Sequence, residues 1–165
     1  MTTLTILIVI GIVFLGAVII NGIEEYNKAN RKDCISFRES MDLTDLPIIT
    51  FYQGNNRFNF LLDTGANLSV INSSALNNFQ YNEVEGTGNI VGVEGIKKEV
   101  SYVNIDLNYK DSKYTEQFQV LDMLDAIDYV KSESGVNMVG ILGNNFFRRY
   151  KYILDFNELI AYSKK

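Results

Sequence analysis

Asp63 is the residue of this chain best placed to do chemistry. It follows Phe60-Leu61-Leu62 and precedes Thr64-Gly65-Ala66-Asn67-Leu68-Ser69-Val70-Ile71, so a lone carboxylate and a glycine interrupt two apolar runs. An aspartate at a strand end followed by Thr and Gly permits a tight turn, in which backbone N–H groups approach the carboxylate and hold it. A carboxylate held this way serves as a general acid or base. Taken alone, the triplet fits a turn residue bonded to local amides equally well, and its context has to decide. Composition narrows the alternatives. None of the 165 residues is histidine, which excludes Ser-His-Asp and Cys-His catalysis and histidine-ligated metals. Cys34 is the single cysteine, so no intrachain disulfide or multi-cysteine metal site is available, and neither metal nor cofactor is expected. A formal net charge of -5 with no long basic run argues against nucleic acid as a partner. Asp122, Asp125 and Asp128 form a second carboxylate cluster. Their spacing against Leu121, Leu124 and Ile127 predicts the solvated side of a short helix or turn, with no catalytic role.

The elements that must position Asp63 are mainly strands. Residues 48–52 and 58–62 are apolar runs separated by Gln53-Gly54-Asn55-Asn56-Arg57, a turn signal that predicts a β-hairpin. Val103, Ile105, Leu107 and Tyr109 alternate with Asn104, Asp106 and Asn108, the period of a half-buried strand. Phe118 and Val120 continue the pattern, and Tyr150, Tyr152, Leu154 and Phe156 repeat it near the C-terminus. Helical signals are confined to short pieces, one after Asn72-Ser73-Ser74 and one beginning near Asn144-Asn145. With no βαβ alternation and no tandem repeat, a small antiparallel barrel is the leading class.

The N-terminal segment has a different character. Residues 4–23 carry no charge, and at about 1.5 Å per residue they can cross roughly 30 Å of hydrocarbon as a transmembrane helix. A signal peptide is the rival, but no Lys or Arg precedes the run and no clear small-x-small cleavage site follows it. An uncleaved anchor over residues 1–23, in contact with membrane lipid through residues 4–23, is the expectation. Lys28, Arg31, Lys32 and Arg38 follow the helix, so the positive-inside rule places the remainder in the cytoplasm. Glu24 and Glu25 weigh against that assignment, and the periplasmic or extracytoplasmic side stays open. Residues 24–45 are rich in charge and lack a sustained period, which predicts a juxtamembrane spacer with at most a short helix. Residues 46–165 are then the functional domain.

Four features stand in a telling order: the leading hairpin, Leu61-Leu62-Asp63-Thr64-Gly65-Ala66 with Ser69-Val70-Ile71, the glycine-spaced Val91-Gly92-Val93-Glu94-Gly95, and Val139-Gly140-Ile141-Leu142-Gly143-Asn144-Asn145-Phe146-Phe147. In this order the chain resembles the retropepsin-like aspartic proteases, particularly the small bacterial members with one active-site motif per chain, over about residues 46 to 162. The resemblance implies an all-β, closed β-barrel of the acid protease fold with one short helix and a closing strand over 150–156. It implies that Asp63 is catalytic, that Thr64 buttresses the motif, that Gly65 and Ala66 complete the active-site turn, and that Ile141, Leu142 and Gly143 pack beside it. Gly92, Val93, Glu94 and Gly95 resemble the tip of a flap that closes over substrate, with an ordinary flexible loop as the lesser alternative. One departure is visible: Asn145 stands where many relatives carry Asp.

The implied chemistry needs two carboxylates, one ionised to deprotonate water and one protonated to donate to the scissile carbonyl. No second Asp-Ser/Thr-Gly triplet exists in the chain, so the partner must be Asp63 of another copy across a two-fold axis. The reading is a membrane-anchored endopeptidase that is active as a homodimer on protein or peptide substrates. Its rival is a retropepsin-like module that binds peptides or dimerises without cutting, which fold alone does not distinguish.

Overall fold

The computed structural model describes residues 3–29, 31–91 and 97–164. In chain order the helices are α1 (Thr3–Ala29), α2 (Arg38–Thr44), α3 (Leu124–Ser134) and α4 (Asn144–Tyr150). The strands are β1 (Arg31–Ser36), β2 (Ile48–Gln53), β3 (Asn56–Leu62), β4 (Ser69–Asn72), β5 (Tyr81–Val91), β6 (Lys97–Tyr109), β7 (Ser112–Leu121), β8 (Met138–Leu142), β9 (Tyr152–Asp155) and β10 (Ile160–Lys164). A 3₁₀ helix, Ser73–Asn78, follows β4 where the Asn-Ser-Ser signal placed a helix.

Strand alternation becomes burial where the sequence showed it. Val103, Ile105 and Leu107 of β6 are each at most 3% exposed, and they face the same core as Phe118 of β7. Phe51, Phe60, Phe118 and Phe146 are fully buried there, and burying each such side chain contributes about 1.5–3 kcal/mol. The leading hairpin forms as expected, with Gln53 opposite Asn56, so its turn tightens to Gly54-Asn55. Gly54 takes φ +58°, which a two-residue hairpin turn demands and glycine supplies without strain.

Seven strands form one sheet in the order β2-β3-β8-β4-β7-β6-β5, and β2 also meets β6 at the pair Tyr52 and Asn108. Strands β3 and β4, consecutive in sequence, are not neighbours. Strand β8 lies between them, parallel to β3 and antiparallel to β4. The turn carrying Asp63 therefore arches over the end of a strand contributed from much later in the chain.

Several expectations need correction. The 24–45 segment is not a spacer: α1 runs on to Ala29, β1 pairs with β10 in a second sheet of order β1-β10-β9, and α2 follows. Ile35 and Phe37 from this segment sit in the core at 6% and 1% exposure. In β1 only Ile35 is buried, so the strand carries no alternation to be read. One short helix was expected; α2, α3 and the 3₁₀ helix are present besides α4 among the described residues. The closing strand does not begin at residue 150. Tyr150 ends α4, Lys151 turns the chain at φ +50°, and only Tyr152–Asp155 form β9, leaving Phe156 beyond it and exposed. On α3, Asp125 and Asp128 are solvated and Ile127 is buried, as the spacing required, but Leu124 is exposed as well.

Helix α1 stands apart from this packing. Its window Ile8–Lys28 has a mean hydropathy of 2.0 and none of it is buried within the chain, so α1 is long and apolar enough to cross a membrane.

Candidate active site

The Asp63 turn is fixed by backbone bonds to the β8–α4 junction. The N–H of Asp63 donates to the carbonyl of Leu142 at 3.0 Å, extending the β3–β8 ladder by one bond. On the far side of the turn, the N–H of Asn144 donates to the carbonyl of Ala66 at 2.8 Å and that of Asn145 to Asn67 at 3.2 Å. The Asn144 side chain adds a bond from Nδ2 to the carbonyl of Thr64 at 2.7 Å. Within the turn, the N–H of Gly65 donates to Oδ1 of Asp63 at 2.8 Å and so fixes the carboxylate's direction. Ile141, Leu142 and Gly143 thus lie beside the motif, where the sequence placed them.

Two glycines make this approach feasible. A Cβ on Gly143 would lie 2.6 Å from the carbonyl oxygen of Leu68 and 2.8 Å from that of Ala66. One on Gly140 would lie 3.2 Å from Cα of Ile71 and closer still to the carbonyl oxygen of Val70. Both contacts are to backbone, which has little room to give. The turn itself faces outward: Asp63 is half-buried, while Thr64, Gly65, Asn67 and Leu68 are exposed. Among the described residues no other carboxylate hydrogen-bonds to Asp63. The flap residues Gly92, Val93, Glu94 and Gly95 lie outside the described residues; the strands that lead to them, β5 and β6, pair out to Val91 opposite Lys97.

Beneath the turn lies a polar cluster that the sequence reading missed. Glu116 on β7 is fully buried, and its carboxylate accepts bonds from Ser69 Oγ at 2.8 Å, from Asn145 Nδ2, and from Arg149 at 3.4 Å. Ser69 Oγ in turn accepts the N–H of Gly143 at 3.1 Å, so one hydroxyl ties the start of β4 to both the β8–α4 junction and β7. Burial raises the Glu116 carboxyl above its ordinary value, while Ser69, Arg149 and Asn145 pull it the other way. The signal was present in the strand's period. Ser112, Tyr114, Glu116 and Phe118 alternate on the inward face of β7, and a carboxylate in that series requires partners.

This cluster accounts for the departure at Asn145. Its amide donates to Glu116, whereas an aspartate there would set a second carboxylate against a buried one. The cluster holds a carboxylate all the same, on Glu116 of β7 and not at position 145 of α4.

Comparison with known proteins agrees with the motif. The family model for retroviral aspartyl protease matches residues 43–155, the larger part of the chain. Among solved structures, EIAV protease complexed with the inhibitor HBY-793 is 23% identical, with 67% of this chain and 93% of that chain covered and a TM-score of 0.48. On the strength of the family match, the chain belongs to the retroviral aspartyl protease family.

Proposed function

We propose that this protein is an aspartic endopeptidase whose active site forms between two copies, each supplying Asp63, and that α1 anchors both copies in one membrane. The observation that carries the reading is the Asp63 turn: its backbone is bonded to the β8–α4 junction on both sides, and its carboxylate is fixed by the Gly65 N–H yet presented outward, with no second carboxylate among the described residues bonded to it. An outward-facing, rigid half-site is what a shared dyad requires. The exposed Thr64 and Leu68 beside it give the partner copy a surface to meet. In the dyad, two carboxylates about 3 Å apart share one proton. The ionised one takes a proton from water as the water oxygen bonds to the scissile carbonyl carbon, and the other donates its proton to the carbonyl oxygen. Collapse of the tetrahedral intermediate breaks the C–N bond and the amine nitrogen leaves with a proton, giving an acid and an amine. Thr64, Gly65 and Ala66 shape the turn, residues 92–95 close over the substrate, and Ile141, Leu142 and Gly143 hold the site from beneath. The Tyr52–Asn108 pair, which joins β2 to β6, supports the barrel that the resemblance implies.

Asn145, together with an Asn-rich surface, leaves room for a non-cutting module, and the bond from Asn145 to Glu116 supplies another explanation for Asn145. The test is cleavage of a proteome-derived peptide library by the full chain in detergent, with and without Asp63→Asn. Loss of the general acid and base removes at least about 10²-fold in rate, so the substitution abolishes detectable cleavage while the near-ultraviolet circular dichroism stays that of the wild type. Equal cleavage by the variant removes Asp63 from the mechanism.

A further inference from the structure

The junction between α1 and the domain bears on what the enzyme can reach. Helix α1 ends at Ala29 and β1 begins at Arg31, so only Asn30 separates the apolar helix from a strand of the folded domain. Two residue steps span at most about 7 Å. The first residue of β1 is also pinned. Arg31 pairs with Lys164 in the β1–β10 ladder, and its guanidinium bonds to Glu158 and lies 3.4 Å from Asp155. It also sits 4.8 Å over the ring of Tyr162, leaving its side chain only 15% exposed. Further along β1, the Tyr114 hydroxyl donates to Asp33, the Tyr109 hydroxyl donates to the carbonyl of Cys34, and Ile35 is in the core. The strand that leaves the helix is part of the domain's own structure and cannot act as a tether.

The arithmetic then fixes a height. If residues 4–23 fill the hydrocarbon, residues 24–29 continue the helix by about 9 Å, roughly the depth of a headgroup layer. Strand β1 therefore begins at the membrane surface. A domain of this size has a radius of gyration of about 14 Å and a diameter of about 36 Å. Every point on it lies within about 40 Å of the bilayer, the reach of about a dozen extended residues. Two copies anchored in one bilayer in the same sense have their two-fold axis along the membrane normal, which sets both Asp63 carboxylates at one height.

We propose that the substrates are themselves membrane-anchored polypeptides, cut in an extramembrane segment within about a dozen residues of the bilayer. This rests on the reading of α1 as a membrane span and of Asp63 as catalytic. Confinement to one bilayer raises the effective concentration of such a segment at the cleft, and a junction of one residue keeps the whole domain, cleft included, within that reach of the bilayer.

The test uses the full chain in phosphatidylcholine vesicles together with a single-pass reporter. One decapeptide, selected as cleavable from the detergent library assay, is placed in the reporter's Gly-Ser arm at about 3, 12 or 36 residues from its helix. The same decapeptide is also supplied free in solution. The anchored form is cut about a hundredfold faster than the free one at micromolar concentration, with the highest rate at the middle position. A variant with about 24 Gly-Ser residues inserted between Asn30 and Arg31 frees the cleft's height over roughly 27 Å, and the preference among positions flattens. Unchanged cleavage of the free decapeptide in detergent certifies that this variant is folded. Equal rates on free and anchored decapeptide, or a position profile that the insertion leaves unchanged, overturn the proposal while leaving the protease reading intact. Absence of any cleavage in detergent overturns both, and release of the protein from vesicles by alkaline carbonate removes the anchor and overturns the proposal while leaving the protease reading intact.

Discussion

Replacing Glu116 tests the account of how the active-site turn is held. In Glu116→Ala the amide of Asn145 loses a charged acceptor in a buried setting, and Ser69 keeps only Asn145 and the Gly143 N–H as partners. A hydrogen bond to a charged group contributes about 1.5–3 kcal/mol. Arg149 is half exposed at 50%, so water meets its charge and its share is below about 1 kcal/mol. The expected loss is about 3 kcal/mol, or a fall in Tm of about 10 °C for a domain of this size. Near-ultraviolet circular dichroism of the full chain in detergent is the suitable readout, because it follows the aromatic core, to which α1 adds only Phe14 and Tyr26. Glu116→Gln keeps the shape and removes the charge, and here the sign of the pH dependence is informative. Burial raises the folded carboxyl above its ordinary value of 4.5, so the folded state binds the proton more tightly than the unfolded state. The proton-linked part of Glu116's contribution is therefore fully present below pH 4.5 and is lost as pH rises through the folded value, leaving the hydrogen bonds of the ionised form. The Gln variant has no such titration, so its stability relative to wild type climbs as pH rises through that window. A wild type that gains on the Gln variant with rising pH would mean that Ser69, Arg149 and Asn145 outweigh burial. An alanine variant within about 0.5 kcal/mol of wild type would mean that the cluster does not hold the turn.

Gly143→Ala forces a methyl group against the carbonyl oxygens of Leu68 and Ala66. It costs about 1–3 kcal/mol by overpacking and removes cleavage at temperatures where the variant is still folded; full activity would refute the close approach. Phe146→Ala empties a core position that packs against Phe51, Tyr114 and Tyr152, and it lowers unfolding stability by about 3–5 kcal/mol in the same circular dichroism assay. Specific activity of the full chain rises with protein density per vesicle lipid until the dimer saturates, whereas a monomeric enzyme shows none of that dependence.

Local patterns carried most of what could be read from the sequence. The alternation of Val103, Ile105 and Leu107, the Gly54-Asn55 turn and the apolar run of α1 are short-range signals, and each became the element it announced. The Asp63 motif and the Ile141-Leu142-Gly143 run were legible one by one, and their contact follows from the insertion of β8 between β3 and β4. Strand β1 was not legible. Its sequence Arg-Lys-Asp-Cys-Ile-Ser offers one apolar side chain to the core, and its partner β10 lies at the other end of the chain. A charged edge strand of this kind is stabilised by its ladder and by Arg31 with Glu158, neither of which leaves a periodic trace.

Asn145 shows the limit most clearly. Read along the chain, it is a lost charge in a motif that many relatives fill with Asp. Read through the fold, it is one half of a pair whose other half is Glu116, twenty-nine positions earlier on β7. A buried site of this kind tolerates one carboxylate among Ser69, position 145 and position 116, because two would repel without water to screen them. The charge can sit on either side of the cluster as long as the other side donates. Glu116→Gln combined with Asn145→Asp moves the charge back across the cluster, and the double variant should recover most of the stability that Asn145→Asp alone removes, a coupling of about 1–3 kcal/mol. Additive effects in that cycle would mean that the two side chains are indifferent to each other, and Asn145 would then have to be explained without Glu116.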